Sequence, residues 1–310
     1  MELELGIKSD PIESRYSFEW LFELLQEMGV RNLQLGSFAE IFTLEDGWFL
    51  QLRQKAERRG VRIRSCFTTH RDLGGFFLED PYRQRATRRM FERLIRIAAL
   101  VGAEAAGGNP GSVPRDEPQT KERGIARYLG QMKELMGLAR REGLQWLALE
   151  PMSCLAEPPT LPEEVERILG ELGAYHRERP ETTVPVYCCS DIGHGYADAE
   201  RRIVHDNWSL FERQIPYMGA FHIKNTDRHF DATFGFSAEE QRRGIVDLER
   251  LRALLERHAA RFPLRPLVGY YETGGPKVGR DYSDRNLERD LRESLAVIQA
   301  ALLPRPPVSR

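Results

Sequence analysis

Two rhythms alternate along the chain. Short β-rich runs with period-two patterning give way to charged stretches whose apolar positions recur at helical spacing. Four times a charged stretch ends in glycine, then an apolar residue, then a β-rich run. These joints are Met28-Gly29-Val30, Arg59-Gly60-Val61, Val101-Gly102-Ala103 and Glu142-Gly143-Leu144. Glycine is favoured just past a helix because it takes the left-handed conformation without Cβ strain. Each joint therefore predicts a helix end feeding a strand.

The pattern predicts strands over Leu3–Lys8, Asn32–Phe38, Arg62–His70, Ala103–Asn109, Gln145–Ser153, Val186–His194, Ala220–Asn225 and Pro266–Thr273. Between them run helical stretches. Asp80-Pro81 reads as an N-cap with proline at the first helical position. Beyond it, Met90, Leu94, Ile97, Ala98 and Val101 form an apolar stripe. Arg83, Arg85, Arg88, Arg89, Arg93 and Arg96 share that segment, and we read them as its solvated face. Ser237-x-x-Glu240 and Thr160-x-x-Glu163 are capping-box candidates. Trp20, with Phe18, Leu21, Phe22 and Leu24, reads as the core face of the first helix, where one or two of the aromatics are also suited to wall the apolar side of a ligand pocket.

Strands separated by helices pair in parallel through right-handed crossovers. Eight such units of about 39 residues match a closed (β/α)₈ TIM barrel of the α/β class. An open doubly wound sheet is the alternative, but the first strand lacks the G-x-G-x-x-G turn of a dinucleotide site. No composition break divides the chain, which predicts one domain over residues 1–303 and a Pro-rich tail, 304–310, to which no fold is assigned.

Composition narrows the class of function. With 45 Lys+Arg against 47 Asp+Glu, the net charge of −2 argues against wrapping nucleic acid or lying on anionic lipid. There is no run of about 18 apolar residues to span a membrane. The acidic N-terminus does not resemble a secretory signal. The four cysteines, Cys66, Cys154, Cys188 and Cys189, have no disulfide-framework or zinc-finger spacing. A cytoplasmic protein is expected. Cys188 and Cys189 are strand neighbours facing opposite ways, so joint metal binding is not expected.

In a barrel of this kind, chemistry sits at the carboxyl ends of the strands. The last four predicted strands end in Glu150-Pro151, Asp191-Ile192-Gly193-His194, His222-Ile223-Lys224-Asn225 and Tyr271-Glu272. Period-two alternation puts Glu150 on the face of Trp146 and Ala148, and Glu272 on the face of Val268 and Tyr270. His222 shares a face with Ala220, leaving Phe221 and Ile223 to pack under helices. Three carboxylates in one barrel mouth repel unless a cation neutralises them. Hard oxygens with one imidazole suit one divalent ion, Mn²⁺ foremost, with Mg²⁺, Co²⁺ and Zn²⁺ as alternatives. Lys224, inward beside His222, needs an anion, either a carboxylate of the site or a substrate phosphate. Asn109, ending the fourth strand, is a candidate substrate hydrogen bond or a loop breaker.

These motifs, Leu-Glu150-Pro, Asp191-Ile-Gly-His194, His222-Ile-Lys-Asn-Thr-Asp-Arg228 and Tyr-Glu272, resemble the sugar isomerase/epimerase superfamily with the xylose-isomerase-like barrel. Within it the pattern is closest to ketose and ketose-phosphate 3-epimerases, and Gly244-Ile-Val-Asp247 resembles a Gly-x-x-Asp step of that family. The resemblance implies that Glu150, Asp191, His222 and Glu272 are metal ligands and that Glu150 and Glu272 are the acid/base pair. It further implies C3 epimerisation through a cis-enediolate, with His194 and Arg228 on substrate oxygens. A homodimer or homotetramer is implied as well.

A phosphorylated tetrulose or pentulose is the leading substrate expectation. The Gly-rich run Gly274-Gly275-Pro276-Lys277-Val278-Gly279-Arg280 offers glycine amides with Lys277 and Arg280, and His70 with Arg71 offers a further anion contact. The same four ligands would equally serve an aldose–ketose isomerase or a polyol dehydratase. A DNA-repair endonuclease would need a histidine-rich multi-zinc cluster and a basic rim, which seven histidines and the net charge disfavour. A sugar-binding barrel without chemistry would have no use for so many crowded charges.

Overall fold

A computed structural model describes residues 2–12, 16–36, 39–68, 73–274 and 286–303. His70, Arg71, Lys277, Arg280 and the Pro-rich tail lie outside the described residues. Among the described residues there are ten strands: β1 (Leu3–Lys8), β2 (Asn32–Leu35), β3 (Arg62–Thr68), β4 (Ala105–Gly108), β5 (Trp146–Leu149), β6 (Val186–Asp191), β7 (Tyr196–Ala197), β8 (Ile203–His205), β9 (Met218–Ile223) and β10 (Leu267–Tyr271). Eight close into a barrel in the order β1-β10-β9-β6-β5-β4-β3-β2, and β7 and β8 form a separate antiparallel hairpin. All eight expected strands are therefore present, most trimmed at their carboxyl ends. The hairpin is additional. The seam pairs the two ends of the chain in parallel, Leu3 with Leu267 through Ile7 with Tyr271.

Around the barrel lie α1 (Phe18–Glu27), α2 (Ala39–Thr43), α3 (Asp46–Arg58), α4 (Pro81–Leu100), α5 (Lys121–Arg141), α6 (Pro162–Glu178), α7 (Asn207–Gln214), α8 (Ala238–Arg243), α9 (Leu248–Arg257) and α10 (Leu287–Leu302). The four glycine joints all share one motif. Gly29, Gly60, Gly102 and Gly143 have φ of 68°, 69°, 75° and 86°. At each joint the next residue's N–H reaches back to the carbonyl five positions earlier, as Val30 does to Leu25. This is the Schellman closure, and it turns each helix into the following strand. Asp80 caps α4 by accepting from Tyr82 N, and Ser237 with Glu240 forms the expected box on α8. The Thr160 box is corrected: α6 starts at Pro162, and Glu164, not Glu163, reaches back to Thr160 N and Leu161 N. Proline at the first helical position shifts the frame by one residue.

Parity divides the core in two. Leu147, Leu149, Cys188, Phe221, Ile223 and Tyr271 join the apolar layer between strands and helices. Inside the barrel a smaller cluster holds Phe67, Ala105, Trp146, Ala148, Cys189, Ala220, Val268 and Tyr270. Cys188 and Cys189 thus face opposite layers. On α4, Arg83, Arg85, Arg89 and Arg96 are exposed, while Arg88 and Arg93 tie to Glu92, Glu134 and Asp46. Among the described residues no helix is long and apolar enough to cross a membrane.

Candidate metal centre

The interior stack continues upward into the charged positions. Glu150 follows β5 directly, Asp191 ends β6, His222 stands in β9 above Ala220, and Glu272 follows β10. Cross-strand pairing sets Asp191 opposite His222, and His222 opposite Tyr270. One ligand atom from each of Glu150, Asp191, His222 and Glu272 falls within 4.8 Å of the others.

The orientation of His222 is fixed on three sides. Its Nε2–H donates to Gln34 Oε1 at 2.7 Å, and Cys189 Sγ lies 3.4 Å from the same nitrogen. The Phe67 ring meets the imidazole edge-on, with centroids 5.1 Å apart. That leaves Nδ1 turned to the centre, 2.9 Å from Glu150 Oε1 and 2.9 Å from Glu272 Oε2. Burial disfavours the imidazolium, but the Cys189 sulfur and the carboxylates of Glu272 and Glu150 outweigh it and hold the pKa well above its usual value. A proton on Nδ1 and a cation compete for this one position.

Each flanking glutamate has one oxygen anchored and the other facing His222. Asn109 Nδ2 donates to Glu150 Oε2 at 2.5 Å, and Lys8 Nζ donates to Glu272 Oε1 at 3.1 Å. Lys8 also pairs with Asp10 at 3.0 Å. Burial pushes the Glu272 carboxyl up, but Lys8 and His222 prevail and keep it well below the usual carboxylate range. Glu272 Oε2 is buried and accepts no hydrogen bond. On the opposite side Lys224 Nζ lies 2.6 Å from Asp191 Oδ2 and 3.1 Å from His194 Nε2. His194 Nδ1 donates to Pro151 O at 2.9 Å, and its Nε2 also lies 3.3 Å from Asp191 Oδ2.

These groups fit a divalent cation. Four enclosed carboxylates, Asp10, Glu150, Asp191 and Glu272, face two ammonium groups, Lys8 and Lys224, leaving two negative charges when His222 is neutral. The unsatisfied Glu272 oxygen and the inward Nδ1 supply the lone pairs, and the oxygen-rich donor set is that of a hard ion.

A sequence profile of the xylose isomerase-like TIM barrel matches residues 22–265. The chain belongs to this family. No curated protein matches this xylose isomerase-like chain. Among solved structures it is similar to a Rhodospirillum rubrum protein provisionally described as a xylose isomerase (TM-score 0.79, 21% identity, covering 96% of this chain and 99% of that one). It is also similar to the D-psicose 3-epimerase of Clostridium cellulolyticum solved with D-tagatose (0.72, 15%, 96% and 99%). A third similar structure is the IolI protein with a bound zinc atom (0.66, 14%, 97% and 100%).

Within this xylose isomerase-like barrel the expected residues are unequally placed. Glu150, Asp191, His222 and Glu272 are brought together, with Lys224, His194 and Asn109 against them. Arg228 is not gathered in. It lies exposed in the turn after β9 and forms no ion pair with a described residue, because strand parity does not govern a turn. Gly244 and Asp247 have structural roles: a Cβ at Gly244 would meet the Asn225 amide at 2.1 Å, and Asp247 caps α9. Phe18, rather than Trp20, lines a cavity of about 340 Å³ with Tyr16 and Trp48. Lys8, Asp10 and Gln34 went unexpected, although Lys8 and Gln34 share the inward parity of Gly6 and Asn32.

Proposed function

We propose that the chain is a divalent-metal-dependent sugar epimerase, acting at C3 of a ketose or ketose phosphate. The observation that carries this reading is the pair Glu150 and Glu272, each with one oxygen 2.9 Å from His222 Nδ1 and each anchored by its other oxygen. A divalent ion held by Glu150, Asp191, His222 and Glu272, Mn²⁺ foremost, would supply Lewis acidity toward charge developing on the substrate oxygens. Lys8 keeps Glu272 ionised and able to accept a proton from the carbon beside the ketone. Glu150, held by Asn109, returns a proton from the other side, and transfer across opposite faces inverts the centre. Lys224 presents an ammonium at the Asp191 edge, where it is placed to hydrogen-bond a substrate oxygen. Similarity in fold to a D-psicose 3-epimerase and to a zinc-binding barrel supports the reading.

The test is proton NMR in D₂O of the Mg²⁺-loaded protein with a panel of ketoses and ketose phosphates. Deuterium uptake at C3 is expected. Uptake at C1 would make the protein an aldose–ketose isomerase using the same residues, and no uptake at any carbon would refute proton transfer altogether.

A further inference from the structure

A second space opens among the loops that follow β4, β5 and β6. Residues 113–121 after β4, residues 153–156 after β5 and residues 196–199 at the start of the hairpin contribute its walls, and it measures about 630 Å³. Ser153 is three residues beyond Glu150 and Tyr196 two beyond His194. Chain geometry keeps these Cα pairs within about 11 Å and about 7 Å. These limits tie the space to the Glu150 and His194 side of the barrel mouth, over β5 and β6.

Its charges are uneven. Asp198 is neutralised by Arg202 at 2.7 Å, and Lys121 by Glu164. Arg115 has no carboxylate partner among the described residues, and its guanidinium meets Cys154 Sγ at 3.2 Å. Ser153 lines the same wall, and its hydroxyl, turned from the open space, has no hydrogen-bond partner among the described residues, so a rotation about χ1 would be needed to offer it to an incoming anion. A guanidinium lacking an acid and a hydroxyl lacking an acceptor together complement an oxyanion. Leu155, Val113 and Ala156 give the rest of the wall an apolar character suited to a carbon chain.

We propose that this cavity takes the anionic terminal group, phosphate or carboxylate, of an elongated sugar substrate, with Arg115 and Ser153 as its contacts. The inference rests on the sugar reading of the metal centre for what lies at the reactive end. It puts the anion on the β4–β6 side of the barrel.

Calorimetric titration tests it without turnover. The Mg²⁺-loaded protein is titrated with a ketopentose, its terminal phosphate ester and its terminal carboxylate. At least one anionic form should bind the wild type more tightly than the neutral sugar. Arg115→Met should weaken that form about 30-fold and Ser153→Ala about 5-fold, leaving the neutral sugar unchanged. Arg115→Lys should recover part of the loss. The tighter anion identifies the natural terminal group. No preference for either anion, or unchanged affinity in Arg115→Met, overturns the proposal. Because binding is read directly, absence of deuterium exchange would refute the epimerase reading while leaving this measurement decisive.

Discussion

Lys8→Met should destabilise the metal-free protein far more than the metal-loaded one. Methionine preserves most of the side-chain volume and removes only the ammonium. Lys8, Glu272 and Asp10 side chains are 6%, 16% and 22% exposed, so solvent screens their pairs weakly. At an effective dielectric constant of about 20, one contact at 3.1 Å is worth about 5 kcal/mol before desolvation. Removing one partner of a buried pair costs about 3–5 kcal/mol. The low end applies here, because burial already pushes the Asp10 carboxyl up and a proton relieves its charge. Without metal the loss is then about 3 kcal/mol, since Asp10 loses its cation and Glu272 is left with His222 alone. With metal Glu272 keeps a cation, and the loss falls to about 1–2 kcal/mol. At about 2 °C per kcal/mol for a chain of this size, the midpoint should drop about 6 °C after chelation and about 3 °C with saturating Mn²⁺. Differential scanning calorimetry of both proteins in both states measures this. An equal drop in the two states would show that Lys8 does not act through Glu272.

Other outcomes follow from the same geometry. Glu150→Gln should keep the wild-type melting profile yet lose about 10³-fold in proton exchange, since the amide retains the shape but can neither take up nor release the transferred proton; an active variant would remove Glu150 from the chemistry. His222→Ala should reduce ion content from about one per chain to traces, read by elemental analysis. Asp191 and Glu272 are held below their ordinary values of 3.8 and 4.5, Asp191 by His194 and Lys224 against burial, and Glu272 by Lys8 and His222 against burial. Their contribution to stability is thus present above those values and is lost as the pH falls toward the lowered ones. Urea midpoints of the chelated protein should decline across that window, and a flat profile would contradict the pairing. Gly60→Ala, at φ 69° with open space around the added carbon, should cost about 1 kcal/mol through backbone strain alone, measured by urea denaturation.

Legibility in the sequence follows regularity of the backbone. Glycine joints announced four helix ends because one closure geometry recurs, and strand parity carried Glu150, His222 and Glu272 into the barrel because the pleat continues to the strand tip. The same alternation would have found Lys8 and Gln34: Leu5 and Ile7 face outward, as do Leu33 and Leu35, leaving Gly6, Lys8 and Gln34 inside. The inward candidates come from the last four strands and Asn109, so the inward positions of the first two strands are not among them. Arg228 shows where the signal stops. Past Ile223 the chain turns, and the direction of a side chain depends on loop contacts that no period encodes. The β7–β8 hairpin was missed for a related reason, having strands of two and three residues, too short to alternate.

The pair Lys8 and Glu272 joins positions 264 residues apart and lies across the β1–β10 seam. During synthesis β1 leaves the ribosome first, and for most of translation its lysine has no carboxylate from the far end of the chain. Three of the four clustered ligands, Glu150, Asp191 and His222, emerge before Glu272. The carboxylate that completes the set arrives with the strand that closes the ring. An ion held by all four groups would therefore need the strand that closes the ring, and a chain ending before Glu272 would lack both the β1–β10 seam and that carboxylate.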